Sequence, residues 1–147
     1  MFKHLLVPID GSPTSELAVE KAIGLAKAFG STVTVLYVVD PYPFAGVGSD
    51  FAYGQTQFLN ATKAMANEAL AGARKALEAA GIKVTASLVE AHAIWRGILD
   101  AAESGGADLI VMGSHGRSGL EKLVLGSVAQ RVLSNAKGPV LVVRAAA

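Results

Sequence analysis

The residues best placed to do chemistry lie in one glycine-rich stretch: Met112-Gly113-Ser114-His115-Gly116-Arg117-Ser118-Gly119, then Leu120 to Leu125, then Gly126-Ser127-Val128. Glycines at 113 and 116 allow a backbone to approach a ligand closely and to take a positive φ. Gly126-Ser127 falls within a helical pattern, where glycine costs ~1 kcal/mol relative to alanine. A helix that starts afresh at Ser127 gives that glycine a purpose. Its unpaired N–H groups and positive dipole end would attract phosphate. Ser127 would cap that helix or bond a phosphate oxygen. His115 and Arg117 are candidates for phosphate contact, with solvation as their plainer role. A second stretch, Val7-Pro8-Ile9-Asp10-Gly11-Ser12, puts a carboxylate at a strand end. Asp10 there can accept from ribose hydroxyls or help position a hydrated cation. An Asx-turn or a second helix cap is its equally available role.

These residues need a scaffold, and the chain supplies one by alternating strand and helix signals. Phe2 to Ile9 reads as a buried strand. Ser12-Pro13 reads as an N-cap followed by proline at the first helical position. Residues 14–29 have helical periodicity, with Gly30 as the stop. Val33 to Val39 is rich in β-branched residues and reads as a strand. Residues 40–55 have loop composition. A long helix is expected over 57–80, with Leu59, Ala66, Leu70, Ala73 and Leu77 on one face. Lys83 to Val89 alternates as an edge strand does. A helix over 93–104, a strand over 108–112, a helix over 118–135 broken at Gly126, and a strand over 140–143 complete the order. Such βαβ alternation with short connections implies one domain, residues 1–147, with a parallel sheet and helices on both faces. Ligands of such folds sit beyond the C-terminal strand ends, where strand order reverses. The loops after the first, second and fourth strands are therefore the place to look. Val38-Val39-Asp40 ends the second strand, although any buried strand looks the same.

Composition narrows the classes. The 147 residues are 52% hydrophobic and 6% aromatic, as suits helices packed on a buried sheet. There is no cysteine, so disulfides and thiolate chemistry are excluded. His4, His92 and His115 are scattered without metal-ligand spacing. The net charge is +1 and no basic stripe forms, so a nucleic-acid partner has no support. Mean hydropathy is +0.43, yet no apolar run reaches the ~20 residues of a membrane span. Pro8 and Asp10 interrupt any secretory core. A soluble cytoplasmic protein is the expectation. No GxxxxGK[ST] loop occurs. Ser104-Gly105-Gly106-Ala107-Asp108 superficially matches a pyrophosphatase-type loop but precedes a strand, and it reads as a helix stop.

Together these motifs resemble the universal stress protein family over essentially the whole chain. The carriers are Val7-Pro8-Ile9-Asp10-Gly11-Ser12, Asp108 to Gly116, Gly138 to Val143, and above all Gly113-x2-Gly116-x9-Gly126-Ser127, the pattern of the ATP-binding branch. The resemblance implies a Rossmann-like domain (adenine nucleotide alpha hydrolase-like) with a five-stranded parallel sheet of order 3-2-1-4-5. It implies ATP as ligand. With no Walker lysine or magnesium site in the sequence, the expected cation, Mg²⁺, would be held mostly by phosphates and waters, with Asp10 or Ser127 nearby. By position, Pro8 belongs to the opening motif, Asp10 meets the ribose and Val38 the adenine through its backbone. Met112 and Gly113 flank the nucleoside; Gly116, Gly126, Ser127 and Val128 hold phosphates. Ala91-His92 departs from the glycine and the small or acidic residue that the family often has after the third strand. The implied function is a nucleotide-dependent stress or signalling switch with little hydrolysis. A slow ATPase and a dimeric structural protein that binds no nucleotide are the alternatives. The last strand, apolar on both faces at a sheet edge, is expected to pair in a homodimer.

Overall fold

Alternating apolar residues on five short strands dictate two buried faces, and the computed structural model, which describes residues 1–41, 51–115 and 125–145, shows helices on both. The strands are β1 (His4–Pro8), β2 (Thr32–Val39), β3 (Val84–Glu90), β4 (Leu109–Gly113) and β5 (Val140–Val143). All neighbours pair in parallel, in the order β3-β2-β1-β4-β5. Between them run α1 (Pro13–Phe29), α2 (Phe51–Ala79), α3 (Ile94–Ser104) and α4 (Ser127–Asn135).

Successive strand residues point to opposite faces. Leu5, Val7, Val33, Val35 and Val111 pack beneath α1 and α2, with Ala18, Ala22, Leu70 and Leu77. Leu6, Leu36, Val38, Ile110 and Met112 pack on the other side, with Ile98 of α3 and Ala129 and Val132 of α4. The chain winds outward from β1 to β3, then returns to place β4 on β1's other side. The connections leaving β1 and β4 therefore diverge, and the space between them opens at the C-terminal strand ends.

Local signals work as read. Ser12 accepts from the Ser15 N–H at 3.3 Å, and Pro13 opens α1. Gly30 closes it in the left-handed conformation at φ 66°. β3 is an edge strand with a partly exposed pattern. Two expectations change. The long helix begins at Phe51, so residues 51–55 leave the expected loop. Gly54 looked like a loop residue, but 29 helical residues absorb its ~1 kcal/mol cost. β5 is not apolar toward solvent throughout. Val143 is 7% exposed and belongs to the α1-side core, whereas Leu141 is 40% exposed. The helical expectation over 118–124 lies outside the described residues.

Candidate functional site

At the end of β1, the Ile9 N–H donates to the Leu36 carbonyl at 2.8 Å, so the chain leaves the sheet only at Asp10. The Asp10 Oδ1 accepts from the Ser12 N–H at 2.9 Å, the Asx-turn. The Asp10 carbonyl accepts from the Tyr37 hydroxyl at 3.3 Å. Asp10 is thus held from both sides while its Oδ2 makes no hydrogen bond among the described residues.

At the end of β4, Gly113 leaves room for the first turn of α1. A Cβ there would stand 2.9 Å from Thr14 Oγ1 and 3.0 Å from the Thr14 backbone carbon. Gly113 does not take a positive φ as expected; its reason is helix–strand packing. The Thr14 hydroxyl donates to the His115 carbonyl, which fastens α1 to the start of the glycine loop.

That loop is closed at its base. The Ser114 N–H donates to the Val143 carbonyl at 2.8 Å, and the Ser114 carbonyl accepts from the Gly126 N–H at 2.7 Å. The long spacing between Gly113 and Gly126 therefore brings its two ends together. Ser114 is 1% exposed. Its hydroxyl lies 3.0 Å from His115 Nδ1, while the buried His115 Nε2 has no hydrogen-bond partner among the described residues.

The helix start expected at Ser127 is present. Gly126 takes the N-cap position at φ −65° and ψ 160°, without a side-chain cap bond, and the first turn holds no acidic residue. Ser127 is thus the first helical residue and not the cap. Gln130 turns its amide back to the Leu125 carbonyl at 2.7 Å.

One cleft of about 330 Å³ gathers Pro8, Asp10, Val38, Met112, Gly113, His115, Gly126, Ser127 and Val128. Gly116 and Arg117 lie outside the described residues. Sequence reasoning missed Ile9, Ser15, Ile94, Ile98, Ser114 and Ala129, which also line it. Most are apolar wall residues, indistinguishable in sequence from core. Gly97 was missed as well, and it had a signal: a glycine inside a helix, the same rule that marked Gly126. Its absent Cβ would stand 2.8 Å from Val38 Cγ1, so α3 can close on β2 only because residue 97 is glycine. A larger depression of about 520 Å³ between α1 and α2 shares Ile9, Asp10 and Ser15, but collects none of the glycine-loop residues.

Among the described residues, the carboxyl with altered acidity lies at the opposite end of the sheet. Burial raises the Asp108 pKa, but N–H donors at Lys3 (2.8 Å), His4 (3.1 Å) and its own backbone, with the nearby His4 ring, outweigh it and hold the pKa below 3.8. Asp108 clasps the starts of β1 and β4, consistent with its reading as part of a helix stop. No group of three metal-ligating side chains occurs among the described residues. No helix among them is long and apolar enough to cross a membrane.

A parallel α/β sheet of order 3-2-1-4-5, with a glycine loop closed onto an uncapped helix start, defines a Rossmann-like class. Residues 1–144 match the model of the universal stress protein family, and the chain belongs to it. It is 40% identical over 144 residues to the universal stress protein MJ0531 of Methanocaldococcus jannaschii, covering 98% of this chain and 83% of that protein. The solved structure of MJ0577 is similar with a TM-score of 0.86 at 30% identity, covering 99% and 98% of the two chains. UspA from Lactobacillus plantarum gives a TM-score of 0.87 at 25% identity, covering 97% and 98%. A universal stress protein solved in complex with cAMP gives 0.73 at 25%, covering 99% and 98%.

Proposed function

We propose that the cleft binds ATP and that the protein acts as a nucleotide-dependent switch with little hydrolysis. The observation that carries this reading is convergence. Nine residues chosen for nucleotide chemistry, from three distant segments, line one cleft at the strand switch point. Its size lies within the ~300–1,000 Å³ of small-ligand sites. The cAMP complex of a similar protein supports an adenine nucleotide as the ligand class.

In this reading the uncapped N–H groups of α4 receive phosphate oxygens, and the His115 ring supplies a further polar partner. Asp10 accepts from the ribose through its remaining oxygen. The Val38 backbone meets the adenine, between Met112 and the α3 side. Gly116 and Arg117 complete the phosphate loop. Mg²⁺ is held mainly by phosphates and waters, near Asp10 or Ser127.

Hydrolysis needs a group that orients water as well as charge stabilisation. Asp10 and His115 are the cleft's candidates for ordering a water, but no carboxylate pairs with the His115 ring among the described residues to make it a strong base. Turnover is therefore expected far below the ~10 s⁻¹ of typical enzymes. Mass spectrometry of the denatured, freshly purified protein tests the reading. Copurified ATP is expected; ADP would favour a slow ATPase, and no nucleotide a purely structural role. Single-turnover assays with labelled ATP and Mg²⁺ add the rate. A value near one per second, abolished by Asp10→Ala or His115→Ala with binding intact, would make the protein an enzyme.

The working form in this reading is a cytoplasmic homodimer joined through β5. The open edge of β5 and its exposed Leu141 support it. Because Val143 is buried, Leu141→Lys alone is the clean test. It should yield monomer by light scattering, and a wild type already monomeric would refute the dimer.

A further inference from the structure

Beside the cleft, α3 and α4 carry a different chemistry. Trp95, the chain's one tryptophan, is half-buried against the second core cluster. The Arg96 guanidinium carbon stands 4.9 Å from its ring centroid, and that of Arg131 stands 5.9 Å away. Both are cation–π distances. Arg131 comes from α4 and ties it to α3. That stapling role does not explain Arg96, which stacks on its own sequence neighbour and joins no elements.

Neither arginine forms an ion pair among the described residues. Arg96 lies over the indole although Asp100 stands four residues along α3, the spacing at which helices pair opposite charges. A guanidinium held over a ring keeps N–H donors for other acceptors. The stack also removes rotamer freedom in advance, so gripping a carboxylate costs less entropy. The first turns of α3 and α4 hold no acidic residue to compete. Tryptophan and arginine together are the residue types that dominate interface hot spots.

We propose that Trp95, Arg96 and Arg131 form a docking surface for an acidic peptide segment of a partner protein. Its carboxylates pair with the two guanidiniums, and an adjoining aliphatic residue packs on Trp95. The surface adjoins the cleft through Ile94, a cleft residue that is 39% exposed, but it does not depend on what the cleft binds.

Trp95 is its own reporter. The full chain, free of nucleotide, is titrated with a peptide of alternating glutamate and leucine while Trp95 emission is followed. A lysine–leucine peptide is the counterpart. The glutamate peptide should give a saturable change that weakens with salt. Arg96→Glu with Arg131→Glu should weaken it about tenfold or more. Replacing both arginines by lysine should weaken it less, because charge remains and the fork is lost. Arg96→Glu alone should weaken binding without lowering the melting temperature, since an acid in the first turn of α3 suits the helix dipole, and this separates docking from stapling. No saturable change, an equal response to both peptides, full binding by the double glutamate variant, or displacement by inorganic pyrophosphate at equal concentration would overturn the proposal. None of these outcomes bears on the nucleotide reading.

Discussion

The starts of α1 and α4 both border the cleft, yet they are finished in opposite ways. At α1 the chain satisfies its own backbone. Ser12 caps Ser15, Asp10 holds the Ser12 N–H, proline removes one donor, and Glu16 sits in the positive first turn. At α4 a glycine occupies the cap, no side chain accepts from the first N–H groups among the described residues, and the first turn holds no acid to offset the dipole. A first turn leaves four N–H groups without helical partners. Where the chain does not supply acceptors, that turn favours an anion from elsewhere. Among the described residues, one helix start is satisfied by its own chain and the other is not.

The sharpest way to break this contrast is Gly126→Val. The backbone there, at φ −65° and ψ 160°, suits any residue, so the fold should survive by circular dichroism. The side chain would occupy the space before the α4 N–H groups. Calorimetry should show ATP affinity reduced about a hundredfold or more, as for loss of two charged hydrogen bonds. Unchanged affinity would sink the phosphate assignment.

Gly113→Ala should act on stability instead. Its Cβ meets the Thr14 backbone at 3.0 Å, and backbone cannot rotate away. Urea denaturation should show a loss of about 1–3 kcal/mol, as for other overpacked sites. A neutral result would mean that α1 is seated less tightly on β4 than the geometry indicates.

Ser12→Ala removes the cap from the self-satisfied helix. A cost of about 1 kcal/mol is expected, with ATP affinity nearly unchanged. A large loss of affinity would show that α1 also serves the ligand. Ser127→Asp makes α4 resemble α1 by adding an anion to its first turn. The protein without nucleotide should gain about 0.3–1 kcal/mol while ATP affinity falls. If stability does not rise, the α4 start is already compensated and the contrast is false.

Much of this was legible in the chain itself. Strand and helix periods, Ser12-Pro13 and Gly30 are local signals, and they mark local structure because backbone bonds and caps act over a few residues. Strand order and the Gly113 to Gly126 spacing were legible through family pattern, and the two ends do meet at Ser114 and Gly126. Asp10 makes the Asx-turn with Ser12, a local bond, and still lines the cleft. Other positions were settled by partners far away. Gly113 proved to be a seat for Thr14, and Gly97 a gap for Val38, because close packing is a relation between two elements and only one is visible at a time. Val143 is buried while Leu141, on the same face of β5, is 40% exposed, a difference along the strand that its uniform apolarity does not show. Sequence by itself thus determined which elements form and where their ends fall. The tertiary structure decided which side chains share a cleft, because distance in space is set by packing and not by position along the chain.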